Sequence, residues 1–354
     1  MDDINNNIKK ITILGAGAFG FAIAKLISDN GYELFLFDVE ESIIEHINKT
    51  RRHLIFHKNA MLSEKVKAVR QLKTAVEGSD LVILAIPSSF LRGAIRQFRR
   101  YLAKGAVLLN LAKGLENKTN KRISEILEEE LKGFDYTYSC LSGGMIAQEI
   151  IANKYLCAEL ACKKLGTAKK LADILKSDYL KICTTKDIIG VELAGAFKNV
   201  IAIGAGIFDG LESSGNIKQN LKPIFISESS KEMAKLAVTL GAEQRTFKDN
   251  SKAWCGDIKV TCFGASRNRE FGKLIGKGFS VKAALKIMAD ENKSVEGFIT
   301  VKVVYELLNK NNLKAPLLNG IYDVLYKSLK PIELFNSIYV CKKSPYFHDE
   351  NWLQ

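Results

Sequence analysis

Residues 10 to 38 read KITILGAGAFGFAIAKLISDNGYELFLFD, and the order of residue types along this stretch decides the fold. Lys10 to Leu14 is a short β-branched and apolar run, the pattern of a buried strand. A glycine-rich turn follows, then a helical pattern from Phe21 to Asn30 that Gly31 closes. A second strand, Glu33 to Phe37, ends in Asp38, which completes a strand–helix–strand unit. Within the turn, Gly15, Gly17 and Gly20 satisfy G-x-G-x-x-G. The pattern alone is common, but here it follows a strand and opens a helix. In that setting Gly15 permits the tight turn, Gly17 lets a pyrophosphate approach the backbone, and Gly20 lets helix and strand pack closely. The helix N-terminus then offers N–H groups and partial positive charge to the phosphates. Asp38 suits the ribose hydroxyls of an adenosine and would repel a 2′-phosphate, which points to NAD. Arg51 and Arg52 keep a 2′-phosphate, and so NADP, admissible.

The same alternation continues outward. Further strands are expected at Leu81 to Ile86, Val107 to Leu111, around Tyr136 to Leu141 and near Leu180 to Thr184, separated by helical segments such as Arg92 to Tyr101 and Lys121 to Lys132. This implies a mostly parallel, doubly wound sheet of Rossmann type. From Ile188 onward the chain reads as helices: Gly190 to Phe208, Ser227 to Leu240, Ser280 to Met288, Thr300 to Asn309 and Pro316 to Lys327. The expected fold is therefore α/β plus all-α. A dinucleotide-binding domain would span 1–186, a helical substrate domain 187–345 and a tail 346–354.

At 354 residues, 47% hydrophobic and 26% charged, the chain has the composition of a globular protein with a substantial core. The polar first ten residues lack the order of a secretory signal, and the expected location is the cytoplasm. The stretch Gly190 to Leu211 is interrupted by Glu192, Lys198 and Asp209, so a buried helix is expected and no transmembrane segment. Seven scattered cysteines contain no C-x-x-C pair and read as reduced thiols. A net charge of +13 is spread along the chain without a basic stripe, so nucleic acid is not an expected partner and anionic small molecules are. His53 and His57 are spaced i, i+4, but no third ligand is evident and their surroundings are basic. A solvated loop or helix is expected there, and no metal.

Oxidising a secondary alcohol by hydride transfer needs an acceptor for the hydroxyl proton, donors for a developing oxyanion, and cations for any phosphate. Lys198 lies in the helical run Gly195 to Val200, where burial would push an amine towards neutrality; a lysine snorkelling from a packed helix is the plainer alternative. Asp257 could tune a lysine, and Thr261 would share its face if that run is helical. Ser266, Arg267 and Asn268 place a hydroxyl, a guanidinium and an amide in succession, a plausible phosphate cradle. Pro87-Ser88-Ser89, Lys113-Gly114 and Ser142-Gly143-Gly144 each follow a strand end, the edge where open α/β sheets bind ligands.

With these segments in order, the chain resembles the soluble, bacterial-type glycerol-3-phosphate dehydrogenase family over roughly residues 10 to 330. The segments are GAGAFG at 15–20, AIPSSFLR at 85–92, AKGLE at 112–116, GVELAGAFKNVIAIGAGIFDG at 190–210 and GDIKVTCFGASRN at 256–268. The resemblance implies NAD(P)-dependent interconversion of dihydroxyacetone phosphate and sn-glycerol 3-phosphate, a supply for phospholipid synthesis, and a homodimer. It implies that Lys198 is the general acid or base, with Lys113 and Asp257 beside the reacting carbon. Ala18, Phe19, Lys113, Ala147, Arg267 and Glu296 fall at cofactor positions. Gly143, Met145, Asn199, Thr261, Ser266, Arg267 and Asn268 fall at substrate positions.

Three segments depart from the family pattern. Residues 142–149 lose a proline and carry Met145 in place of a hydroxyl. Residues 216–230 are lengthened, place Glu228 where an arginine is usual, and leave Asn216 and Asn220 as rival asparagines. Residues 250–256 replace a glycine-rich loop with NSKAWCG. These departures leave two other readings open: a dinucleotide-binding sensor with lost or reduced catalysis, and a hydroxyacid or ketopantoate-like reductase. Lys113, Lys198, Asp257, Arg267 and Asn268 argue against the sensor, and Ser266, Arg267 and Asn268 with Lys198 argue against the reductase.

Overall fold

The computed structural model of the chain describes residues 8–215, 220–291 and 293–335. Asn216 and the tail 346–354 lie outside them. The chain divides into two compact units, Met1–Ala196 with Leu240–Lys259 and Phe197–Thr239 with Val260–Gln354.

In the first unit the strands β1 (Ile11–Leu14), β2 (Leu34–Phe37), β3 (Val66–Val69), β4 (Leu81–Leu84), β5 (Ala106–Asn110), β6 (Tyr136–Gly143), β7 (Leu156–Cys162) and β8 (Leu180–Thr185) form one sheet. Their order is β3-β2-β1-β4-β5-β6-β7-β8. Every neighbouring pair is parallel except β6 with β7. The helices α1 (Ala18–Asp29), α2 (Glu41–Thr50), α3 (Leu72–Val76), α4 (Ser88–Phe98), α5 (Ile123–Glu130), α6 (Ala147–Ile151) and α7 (Leu165–Leu175) connect them. Alternation along the strands sorts side chains into two cores. Ile11, Ile13, Leu81 and Ile83 pack with Phe21, Ile23 and Ile27 of α1 and with Leu171 of α7. Leu14, Val82 and Leu84 pack with Leu91, Ile95 and Phe98 of α4 and with Ile126 and Leu127 of α5. Both faces being covered, the central strands are continuous apolar runs, as parallel strands usually are.

The mostly parallel doubly wound sheet matches the sequence expectation, and two strands add to it. β3 reads VKAV, an edge strand that exposes Lys67 and gives only two apolar residues to the core. β7 reads LCAELAC, a run that serves a helix as well as a strand by composition. Strand order reverses at β1 and β4, so the segments after Leu14 and Leu84 flank the crevice where such sheets bind ligands.

The second unit is helical. Two helices, α8 (Ile188–Ser213) and α10 (Asp257–Phe263), begin in the first unit and end in the second; α9 (Leu221–Thr239), α11 (Arg267–Gly276), α12 (Val281–Asp290), α13 (Glu296–Lys310) and α14 (Pro316–Tyr326) complete it. α8 is long and apolar enough to cross a membrane, but 94% of that stretch is buried within the protein. Glycines set how close α8 and α11 come. A Cβ at Gly206 would stand 2.0 Å from the Arg269 carbonyl oxygen, and one at Gly272 would stand 2.1 Å from that of Ile203. Gly276 likewise faces the carbonyl of Ile207. The two backbones therefore touch directly, with no side chain between them. Asp209, one turn beyond Gly206, is buried between Lys222 at 2.7 Å and Arg269, which spans α8, α9 and α11 with one carboxylate. At the far side Glu232 of α9 accepts the first N–H groups of α14 from Leu317 (3.2 Å) and Leu318 (3.0 Å), donors that a helix start otherwise leaves unmet.

Candidate active site

Gly15 has φ +105°, and its N–H donates to the Phe37 carbonyl at 2.8 Å. A Cβ there would stand 2.7 Å from the Ala85 carbonyl oxygen at the end of β4, and one at Gly20 would stand 1.9 Å from that of Gly15. The turn can be this tight only with glycine at both places. Gly17 differs: a Cβ there would meet nothing within 4 Å, so the loop presents bare backbone on an open side. That is the surface a pyrophosphate needs, and Ala18 and Phe19 open α1 beside it. The first unit thus fits a dinucleotide.

Asp38 braces this loop. Its Oδ2 accepts the Ala16 N–H at 2.7 Å and its Oδ1 accepts the Glu40 N–H at 3.0 Å. Each carboxylate oxygen keeps a second lone pair for a ribose hydroxyl. Arg51, by contrast, points its guanidinium at the carbonyls of Leu62 and Val66, and Arg52 donates to Lys58. The expectation that His53 and His57 are solvated is corrected by the structure. His53 is 1% exposed, with Nε2 2.7 Å from the Ala16 carbonyl oxygen and its ring edge-on to Phe21. His57 is half-buried, with Nε2 3.2 Å from the Ala18 carbonyl oxygen. Local charge in RRHLIFHK concealed this, because the segment folds back under the glycine loop.

On the strand-end edge the first unit assembles a charged pair. Lys113, after β5, donates from Nζ to the Gly143 carbonyl at 2.7 Å and lies 3.0 Å from Asp257 Oδ2. Asp257 is 1% exposed. Ser142, Gly143 and Met145 close the end of β6; Met145 is 7% exposed and joins the apolar core, so its side chain offers no polar contact in place of the family hydroxyl. Ala147 opens α6.

The segment before Asp257 is where sequence reasoning found only a departure. Ser251 accepts the Trp254 N–H through its side chain, Lys252–Gly256 makes a π-helical turn, and Trp254 is buried edge-on to Phe247. Glu159 of β7 fastens this turn by accepting the Lys252 N–H at 2.9 Å and the Ser251 hydroxyl at 3.2 Å. A loop of unusual composition thus delivers Asp257 by a route that uses Glu159, a residue the sequence did not single out.

In the second unit Lys198 is 8% exposed, and its Nζ donates to Thr261 Oγ1 at 2.9 Å. The run containing Thr261 is helical, as that reading required. Asn199 is buried next to Lys198. Ser266 caps α11 by accepting the Arg269 N–H, so Arg267 and Asn268 form its first turn, where N–H groups and the helix dipole favour an anion. Asn268 Oδ1 accepts the Gly297 N–H at 2.9 Å, leaving its amide protons for another acceptor. Arg267 is exposed and donates to Ser294 at 3.1 Å. Glu296 opens α13. The described residues contain no cluster of potential metal ligands.

The profile of the NAD-dependent glycerol-3-phosphate dehydrogenase N-terminus matches residues 10–168, and that of the C-terminus matches 187–336. A glycerol-3-phosphate dehydrogenase (NAD(P)+) of Ligilactobacillus salivarius is 35% identical over 323 residues, covering 90% of this chain and 93% of the relative. One of Bacillus subtilis is 34% identical over 325 residues, covering 91% and 92%. The crystal structure of a glycerol-3-phosphate dehydrogenase from Coxiella burnetii superposes with a TM-score of 0.85 at 27% identity, covering 94% of this chain and 98% of that one. A ketopantoate reductase from Ralstonia eutropha reaches 0.57 at 15% identity, which is likeness of fold.

Proposed function

The chain belongs to the NAD-dependent glycerol-3-phosphate dehydrogenase family, and from that premise we propose which of its residues perform the reaction. The activity is the NAD(P)-dependent interconversion of dihydroxyacetone phosphate and sn-glycerol 3-phosphate, which serves phospholipid synthesis. The sensor and the ketopantoate-like reductase are not favoured. When bound, the nicotinamide cofactor supplies or accepts the hydride at the central carbon of the substrate.

Lys198 moves the proton. In the reducing direction its ammonium donates to the carbonyl oxygen as that oxygen gains negative charge; in the oxidising direction its amine takes the hydroxyl proton. A buried lysine held by a threonine hydroxyl is fixed in position for either transfer. Lys113, kept in place by Asp257 and the Gly143 carbonyl, supplies a fixed cation for the oxyanion. Ser266, Arg267 and Asn268 hold the substrate phosphate at the start of α11, with Asn199 and Thr261 beside Lys198 and Arg267 also touching the cofactor. Gly15, Gly17, Ala18, Phe19, Gly20, Ala147 and Glu296 serve the dinucleotide, and Asp38 biases it towards NAD. Under this reading the cofactor domain is 1–186 and the substrate domain 187–345, the enzyme is a homodimer, and it acts in the cytoplasm.

The observation that carries the assignment is buried Lys198 bonded to Thr261. NADH oxidation with dihydroxyacetone phosphate, in wild type and Lys198→Ala, tests it. Turnover should fall by about 10²- to 10⁴-fold in the variant, the usual contribution of a general acid. Full activity in Lys198→Ala would remove Lys198 from this role, and no turnover by folded wild type would favour the sensor.

A further inference from the structure

The glycine loop is held at Ala16 from both sides. Asp38 Oδ2 accepts its N–H, and His53 Nε2 lies 2.7 Å from its carbonyl oxygen. The tautomer of His53 follows from its other nitrogen. Nδ1 is 2.9 Å from the Ile55 N–H and 3.0 Å from that of Phe56, so it must carry a lone pair. The proton therefore sits on Nε2 and is donated to Ala16. The ring cannot slide, being edge-on to Phe21 at 5.4 Å and tilted against Phe56 at 5.0 Å.

A peptide unit is planar and trans, so its C=O and N–H point in opposite directions. Holding the Ala16 carbonyl against His53 consequently aims the Gly17 N–H away from His53. We propose that His53 is a positioning residue for the dinucleotide: neutral, it locks the Ala16–Gly17 peptide in the orientation that binds pyrophosphate, and protonation on Nδ1 releases that lock. A proton there would face the N–H groups of Ile55 and Phe56, forcing the segment 53–56 to rearrange and withdraw the ring from Ala16.

Burial opposes the His53 cation most and holds its pKa below the ordinary histidine range; the Ala16 carbonyl and, after β2, Asp38 favour the cation, while His57 in the same segment and His46 on α2 oppose it. The lock is thus engaged at neutral pH and opens in acid.

The proposal rests on the dehydrogenase reading, and NADH fluorescence titration of the full chain from pH 5 to 8 separates the two. Wild type should bind NADH well at neutral pH and progressively more weakly in acid. His53→Gln places an amide N–H near Ala16 and has no titrating group; it should retain neutral-pH affinity to within about threefold and lose the acid weakening. His53→Asn retains an acceptor for Ile55 and Phe56 but falls short of Ala16; its dissociation constant at neutral pH should rise about five- to tenfold, the scale of one hydrogen bond. The Michaelis constant for NADH should follow these changes while kcat at saturating NADH stays within about twofold, as expected of a group that does not touch the reacting atoms. Thermal unfolding of each variant identifies any that do not fold, and the remaining variant then decides. The same acid weakening in His53→Gln as in wild type, or unaltered affinity in folded His53→Asn, would overturn the His53 proposal alone. No binding of NADH by wild type at any pH would overturn the dehydrogenase reading and this proposal with it.

Discussion

Asp257 Oδ2 stands 3.0 Å from Lys113 Nζ, and the carboxylate is almost wholly buried while the ammonium also donates to the Gly143 carbonyl. Removing one charge of so buried a pair is costly, because the other stays desolvated without its counter-charge at Lys113 or Asp257. Asp257→Asn retains the shape and removes the charge. We expect kcat to fall by about 10- to 10³-fold with a smaller change in the Michaelis constant for dihydroxyacetone phosphate, because an oxyanion donor matters most as charge develops. Steady-state kinetics measure both. Unaltered kcat would show that Asp257 serves only the fold.

Glu159 reaches the same carboxylate indirectly, through Ser251 and Lys252. Glu159→Ala should leave the π-helical turn without its anchor, costing about 1–3 kcal/mol of stability. Activity should fall with it, even though Glu159 touches no reactant. Urea unfolding alongside the activity assay checks this, and a variant of wild-type stability and activity would contradict it.

Contact between α8 and α11 predicts substitutions of opposite sign. Gly272→Ala would drive a methyl group into the Ile203 carbonyl and should cost about 3 kcal/mol or more, at the upper end of overpacking. Gly93→Ala in α4, where a Cβ meets nothing within 4 Å, should stabilise by about 0.5–1 kcal/mol through the helix propensity of alanine. Melting temperatures of the two variants distinguish the cases, and equal shifts would mean that the backbones are not in contact.

Glu232 makes stability depend on pH. Burial pushes its pKa up to about 7, against the pull of the two α14 N–H donors. A carboxyl raised above its unfolded value holds more protons when folded, so its contribution is most favourable below pH 4.5 and declines as pH rises through about 7. The decline should be about 2–4 kcal/mol. Glu232→Gln keeps an acceptor oxygen and should flatten this part of the profile between pH 5 and 8 in denaturant unfolding. An identical slope in both proteins would exclude Glu232 as its source.

Asp38 should set the choice of cofactor. Its carboxylate at the end of β2 predicts a higher kcat/KM with NADH than with NADPH in wild type, and a narrowed gap in Asp38→Ala, at some cost in NADH affinity because the Ala16 N–H loses its acceptor. A strong wild-type preference for NADPH would refute the assignment.

What the sequence discloses depends on how far the determining contacts lie along the chain. The strand, glycine turn and helix of residues 11–29 are legible because both periodicities and the turn residues are local. β7 is not, since LCAELAC owes its extended form to pairing with β6 and β8. Lys113, Asp257, Lys198 and Thr261 are legible through motifs, but the residues that brace the neighbouring loops are not: Glu159 is 92 residues from Ser251, and His53 is 37 from Ala16. The start of α11 was hidden by its charges, for RNREFGKLIG carries its packing signal in glycine, a residue that reads as a helix breaker unless a second helix is known to press against it.

That glycine seam also governs how this protein can change. Backbone set against backbone leaves no side chain to enlarge, trim or recolour, so positions 206, 272 and 276 admit essentially one residue. A laboratory library spread across the helical half would be sterile along the seam, and variants with altered substrate preference should come from Arg267, the exposed residue in the first turn of α11.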